Sequence, residues 1–118
     1  IDLPAMLSRF AFFDRAGAMG QVAYDLGNVY RLVGVEPSNA SALFLLLLNP
    51  ERSISDGWGA SLSKDGLAQA LDTITEIRSR LAGVQMARAD AGLVKDEFAW
   101  AADVLSWAAR LGLARRAR

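Results

Sequence analysis

Any chemistry performed by this chain would have to run on carboxylates. Its 118 residues include 13 Asp and Glu but no His and no Cys. This excludes Ser-His-Asp and Cys-His nucleophile systems, thiolate or imidazole metal sites, disulfides and redox motifs. The candidate acids are Asp25 in the first third of the chain and Asp90, Asp96, Glu97 and Asp103 near its end. Asp96 and Asp103 stand seven residues apart and so share one face of a helix. General acid/base catalysis needs two such groups at fixed separation in a cleft, with an apolar wall to raise one pKa. Their shared face is the polar one opposite Phe98 and Leu105, where solvated charge belongs, so no catalytic residues are expected. The loop acids Glu51 and Asp56 lack the spaced oxygen ligands of a calcium loop. Gly17-Ala18-Met19-Gly20 lacks the Lys and Ser/Thr of a phosphate-binding loop. No metal and no cofactor are therefore expected.

Partners are limited by charge and by the length of the apolar runs. The formal net charge is zero, which argues against nucleic acid, because phosphate binding requires an excess of Lys and Arg. The basic cluster Arg110, Arg115, Arg116 and Arg118 falls at the end of a predicted helix, where cations favour the negative pole of the helix dipole. The longest apolar run, Ala42 to Leu48, is far shorter than the ~20 residues needed to cross a bilayer. Ile1 to Phe13 carries Asp2 and Arg9 and has no leader-like apolar core. A soluble chain is expected, with a cytoplasmic setting slightly favoured. Because it starts at Ile1 rather than Met, it is expected to be a piece of a larger protein.

The spacing of apolar residues predicts a single all-α domain spanning residues 1–118, a bundle of about five helices. Leu3, Met6, Leu7, Phe10 and Phe13 recur at helical intervals, and Asp14 ends that segment and caps the next. Met19, Val22, Leu26, Val29, Tyr30 and Val33 line one face of a helix over 18–33, with Gly34 at its C-terminal cap. Gly20, Gly27 and Gly34, spaced by seven, lie along one edge of that face and predict close approach of a neighbouring element or, alternatively, of a ligand to the bare backbone. A short helix follows, capped by Ser38 or Asn39. It is apolar on nearly every side from Ala42 to Leu48, which predicts burial on more than one face, and Asn49-Pro50 stops it. Asn39-Ala40-Ser41 also fits a glycosylation acceptor, although a helix cap accounts for the same residues.

Residues 51–64 form the longest irregular stretch. Trp58, between Gly57 and Gly59, is either a stacking platform or a plug that pins the loop to the core. A helix over 65–81 presents a narrow stripe of Leu67, Leu71, Ile74, Ile77 and Leu81, and Gly83 ends it. The last helix, over 88–113, has two apolar sectors. Leu93, Trp100, Val104, Trp107 and Leu111 form one; Val94, Phe98, Ala101, Leu105 and Ala108 form the other. One helix must cover two surfaces, which implies either a central place in the bundle or a Trp100/Trp107 ridge that meets something outside the chain. Trp58, Trp100 and Trp107 are the candidate interface residues.

Several segments resemble a known family. Tyr24-Asp25-Leu26-Gly27-Asn28-Val29-Tyr30-Arg31, followed by Asn39-Ala40-Ser41-Ala42-Leu43-Phe44, is similar to the region after the catalytic barrel in some bacterial glycoside hydrolase family 20-like proteins, relatives of β-N-acetylhexosaminidases. Met86-Ala87-Arg88-Ala89-Asp90-Ala91, Asp96-Glu97-Phe98 and Ala101-Ala102-Asp103-Val104-Leu105 resemble the helical tail of the same proteins. The resemblance implies a parent enzyme that removes terminal N-acetylhexosamine by substrate-assisted catalysis, with an adjacent Asp-Glu pair located in its barrel. Asp96-Glu97 lies mid-helix, and the chain lacks βα alternation, so those roles are not carried onto it. The implied function is a noncatalytic C-terminal accessory domain that packs on or supports the barrel. The alternative is an independent helical interaction or dimerisation module, so the expected partner is the parent's catalytic domain or a second copy.

Overall fold

The computed structural model describes residues 1–37, 40–48, 50, 51, 54 and 57–116. The Ser38/Asn39 cap, the acceptor Asn39, Asn49, Asp56 and Arg118 lie outside them. Among the described residues the fold is an all-α bundle of five helices: α1 (Leu3–Met6), α2 (Met19–Asn28), α3 (Ala42–Leu48), α4 (Lys64–Ser79) and α5 (Ala91–Arg116). A π turn, Leu7–Ala11, continues α1, and 3-10 turns extend α2 over Val29–Val33 and α4 over Arg80–Gly83.

The periodicities of α2 and α4 build the core. Met19, Val22, Leu26, Val29 and Val33 from the first meet Leu67, Ala70, Ile74, Ile77 and Leu81 from the second, all buried. Removing such side chains from water contributes about 1.5–3 kcal/mol each. Gly34 ends the α2 segment at φ +91°, the left-handed conformation of a C-terminal glycine cap. At the start of α4 the Ser63 hydroxyl accepts a hydrogen bond from the Gly66 amide at 2.9 Å, an N-cap that satisfies one of the helix's free amide donors.

The glycine edge is corrected in part. At Gly20 a Cβ would lie 1.8 Å from the Pro4 carbonyl oxygen, so α1 rests directly on the α2 backbone; around Gly27 there is open space. At Gly34 a Cβ would lie 2.9 Å from the Ser63 Cβ, so the spacing marks two close approaches, at Gly20 and Gly34, with an open position at Gly27 between them. Gly27→Ala adds no clash and relieves the helix-interior cost of glycine. Its expected effect is a gain of about 0.5–1 kcal/mol, measured by urea unfolding; a loss would place an unseen contact at that position.

The N-terminal segment is helical, as its spacing predicts, and the burial expected for α3 is corrected. Leu3, Met6, Phe10 and Phe13 are exposed, and Ser8 is the buried residue of the segment. Two constraints turn the apolar side outward. The π turn changes the helical register, and Ser8 Oγ accepts a hydrogen bond from the Gly20 amide at 2.7 Å. In α3 only Ala42, Leu43 and Leu46 are fully buried, while Phe44 and Leu48 are each 55% exposed. The helix lies at the edge of the bundle against α5 and the turn after α2, so its outer side has no protein neighbour among the described elements.

Candidate functional site

Three of the five candidate acids are engaged in ion pairs that hold the fold. Asp25 on α2 accepts a hydrogen bond from Arg80 at 2.6 Å, and the same guanidinium binds Glu76. Asp103 on α5 accepts from Arg78 Nε on α4 at 2.8 Å. Asp90 accepts from Arg88 at 2.8 Å, and Arg88 also donates to the Ala11 carbonyl. The hydrogen bond from Arg88 holds the Asp90 carboxyl below its ordinary pKa. Asp96 and Glu97 are exposed. No element brings Asp96 and Asp103 to face each other across a cleft, because both stand on one face of α5 and Asp103 is bound to Arg78. Among the described residues no group of three or more acids could hold a metal ion.

One acid is buried. Asp14, 8% exposed, follows Phe13, whose φ of +51° is an unusual value for a bulky residue. This geometry turns the carboxylate onto the start of α2. Oδ2 accepts from the Ala18 and Met19 amides at 2.8 and 2.7 Å, and Oδ1 from the Ala16 and Gln85 amides at 3.0 and 2.6 Å. Around it the chain pairs as an isolated antiparallel bridge. Arg15 N–H donates to the Gln85 carbonyl at 3.0 Å and Ala87 N–H to that of Phe13 at 2.8 Å. Burial pushes the Asp14 carboxyl up, but the four backbone donors together outweigh burial and hold its pKa below the ordinary value. The adjoining depression of about 380 Å³ is lined by Ser8, Arg9, Phe13, Asp14 and Arg15. Its acid is already saturated with donors and held ionised, which suits it to structural support rather than proton transfer.

The tryptophans divide. Trp58 is half-buried and packs against the core from a 3-10 turn, Gly57–Ser61, so it acts as the plug. Trp100 and Trp107 stand on α5 at 69% and 60% exposure, with Leu93 one heptad earlier at 61%. The other sector of α5 faces inward on α4 and α3 through Ala102, Ala108, Ala109 and Gly112, all buried, with Phe98 and Leu105 alongside. A Cβ on Gly112 would meet Leu46 at 2.9 Å and Leu67 at 3.1 Å. The small side chains thus allow close helix packing while the two indoles stand outside, and a central position for α5 is ruled out.

Sequence reasoning separated the two sectors of α5 but did not assign them. The run of Ala and Gly at 102, 108, 109 and 112 was the available signal for the inner face. Arg115 was expected simply to offset the helix dipole. It is instead buried and donates to the Leu46 carbonyl at 3.3 Å, tying the end of α5 to α3. No helix is long and apolar enough to cross a membrane among the described residues. No protein family, curated protein or solved structure matches the chain.

Proposed function

We propose that this domain is a noncatalytic helical interaction module whose docking face is the outer side of α5. The observation that carries the reading is the line of Leu93, Trp100 and Trp107, 61%, 69% and 60% exposed, on a helix whose opposite side is already committed to the core. Large aromatics left in water along one line are typical of a surface that meets a partner. The ion-paired or solvated state of the candidate acids supports the noncatalytic part.

The accessory role implied by the glycosidase resemblance uses the same face. Trp100 falls between the resembling stretches Asp96-Glu97-Phe98 and Ala101–Leu105, and the neighbour in that role is the outer surface of a catalytic barrel. The domain would then support the barrel without hydrolysing N-acetylhexosaminides itself.

Acrylamide quenching of a Trp58→Phe variant at about 1 µM tests the docking reading. Trp100 and Trp107 are then the remaining indoles, and the expected result is red-shifted emission quenched nearly as efficiently as a free indole. Blue-shifted, shielded emission from the dilute monomer would overturn the reading. Turnover of a chromogenic N-acetylglucosaminide that disappears in Asp96→Asn would overturn the noncatalytic part.

A further inference from the structure

We propose that the partner at this face is a second copy of the same chain, its α5 packed antiparallel to the first across a two-fold axis between Trp100 and Trp107. The proposal rests on the docking reading above and identifies the occupant.

The seam has the spacing that helix pairing requires. Trp100, Val104, Trp107 and Leu111 succeed one another at steps of four, three and four residues, with Leu93 one heptad before Trp100. That alternation keeps a stripe facing a partner helix. From Leu93 to Trp107 the ridge runs about 21 Å at 1.5 Å per residue, long enough for several turns of each helix to meet. The two indoles alone offer roughly 300 Å² per copy at their observed exposure. Two copies would therefore bury roughly half the ~1,200 Å² at the lower bound of a stable interface before Leu93, Val104, Leu111 and the flanking residues are counted.

Charge selects both the partner and its direction. On one flank of the ridge the exposed residues are Asp96 in the first half of α5 and Arg110 in the second, with Asp103 between them already paired with Arg78. A parallel copy would set acid against acid and base against base. An antiparallel copy sets Asp96 of each protomer toward Arg110 of the other, and the two-fold axis repeats the match at both ends of the seam, while the two Asp103 carboxylates near the axis are each offset by their own Arg78. The chain's zero net charge adds no overall repulsion to oppose the pairing.

Sedimentation equilibrium of the chain from about 1 to 100 µM tests the proposal. The expected apparent mass rises from 12.7 kDa toward twice that value. Trp100→Asp combined with Trp107→Asp abolishes the rise with unchanged helical circular dichroism, since both side chains are outside the core. Arg110→Glu weakens association roughly ten-fold, equivalent to ~1.4 kcal/mol, and an unchanged affinity would overturn the charge argument. Because the native chain has no cysteine, a short bismaleimide reads direction. Leu93→Cys mixed with Ala114→Cys gives a crosslinked dimer, whereas Leu93→Cys alone gives none; efficient Leu93→Cys self-crosslinking would overturn the antiparallel arrangement. A monomer at every concentration with quencher-accessible indoles overturns the dimer and leaves the face to another partner. A monomer with shielded indoles overturns the docking reading as well.

Discussion

Replacing Asp14 with Asn is expected to cost about 3 kcal/mol of stability at pH 7, or ~12 °C in Tm at roughly 4 °C per kcal/mol for a domain of this size. The substitution keeps the shape of the side chain and fails on hydrogen bonding. Each Asp14 oxygen serves two backbone amides: Ala18 and Met19 on one, Ala16 and Gln85 on the other. An amide side chain can accept on one side only, and its NH2 would point donors at two donors. The loss would loosen the N-terminus of α2 and detach the 85–87 segment that leads into α5. The pH dependence follows from the depressed pKa. The stabilisation is fully present above the unfolded value of about 3.9 and is lost as pH falls through the lower folded value. Urea titrations of both proteins at pH 7 and pH 2.5 should therefore show the gap between them shrinking at low pH. A gap unchanged at pH 2.5 would mean that the carboxylate charge contributes nothing beyond shape.

Periodicity located the elements whose burial it could explain. The faces of α2 and α4 were legible because each helix buries its large apolar residues along one continuous stripe, so the apolar stripe and the buried stripe coincide. Met19, Val22, Leu26 and Val33 on the first and Leu67, Ile74 and Ile77 on the second are all buried. The N-terminal segment was legible as a helix but not in its orientation, for a local reason. Its apolar residues recur correctly for a helix, but a backbone contact at Gly20 and the Ser8 hydrogen bond fix its orientation. Contacts between a backbone and a small polar side chain leave no trace in a hydrophobic pattern.

The candidate site was legible in its residues and illegible in its orientation. Trp100 and Trp107 stand out in the sequence because they are large. Size, however, favours the core only where neighbouring elements leave room for it. Here α5 packs on α3 and α4 through Ala102, Ala108, Ala109 and Gly112, a surface too shallow to admit an indole. The inner face was chosen by the smallest residues on the helix. The ion pairs of Asp25 and Asp103 were equally hidden, since Arg80 from the 3-10 turn after α4 and Arg78 from α4 reach them across 55 and 25 positions of sequence.

Gly66→Ala should destabilise the domain by about 3 kcal/mol, although alanine is ordinarily the better helix former by ~1 kcal/mol. A Cβ on Gly66 would lie 2.1 Å from the Leu32 carbonyl oxygen and 3.1 Å from its carbon. The obstacle is backbone, so no side-chain rotation relieves it. Shifting α4 outward would strain two hydrogen bonds at the same junction: Ser63 N–H to the Val33 carbonyl at 2.8 Å and Gly66 N–H to Ser63 Oγ at 2.9 Å. It would also pull Leu67 and Ala70, both fully buried, from their places against α2. Overpacking against an immovable backbone, at the upper end of about 1–3 kcal/mol, and a weakened cap of about 1 kcal/mol together exceed the propensity gain of ~1 kcal/mol and leave about 3 kcal/mol. The contrast with Gly27→Ala isolates the cause, because the same chemical change in the open position of α2 has the opposite expected sign. Parallel thermal unfolding of the two variants decides it: Tm should fall by ~12 °C for Gly66→Ala and rise by a few degrees for Gly27→Ala. If Gly66→Ala proved neutral, α4 could not rest on the turn after α2 as closely as its geometry requires, and the junction between the two core helices would have to be looser than the hydrogen bonds at Ser63 allow.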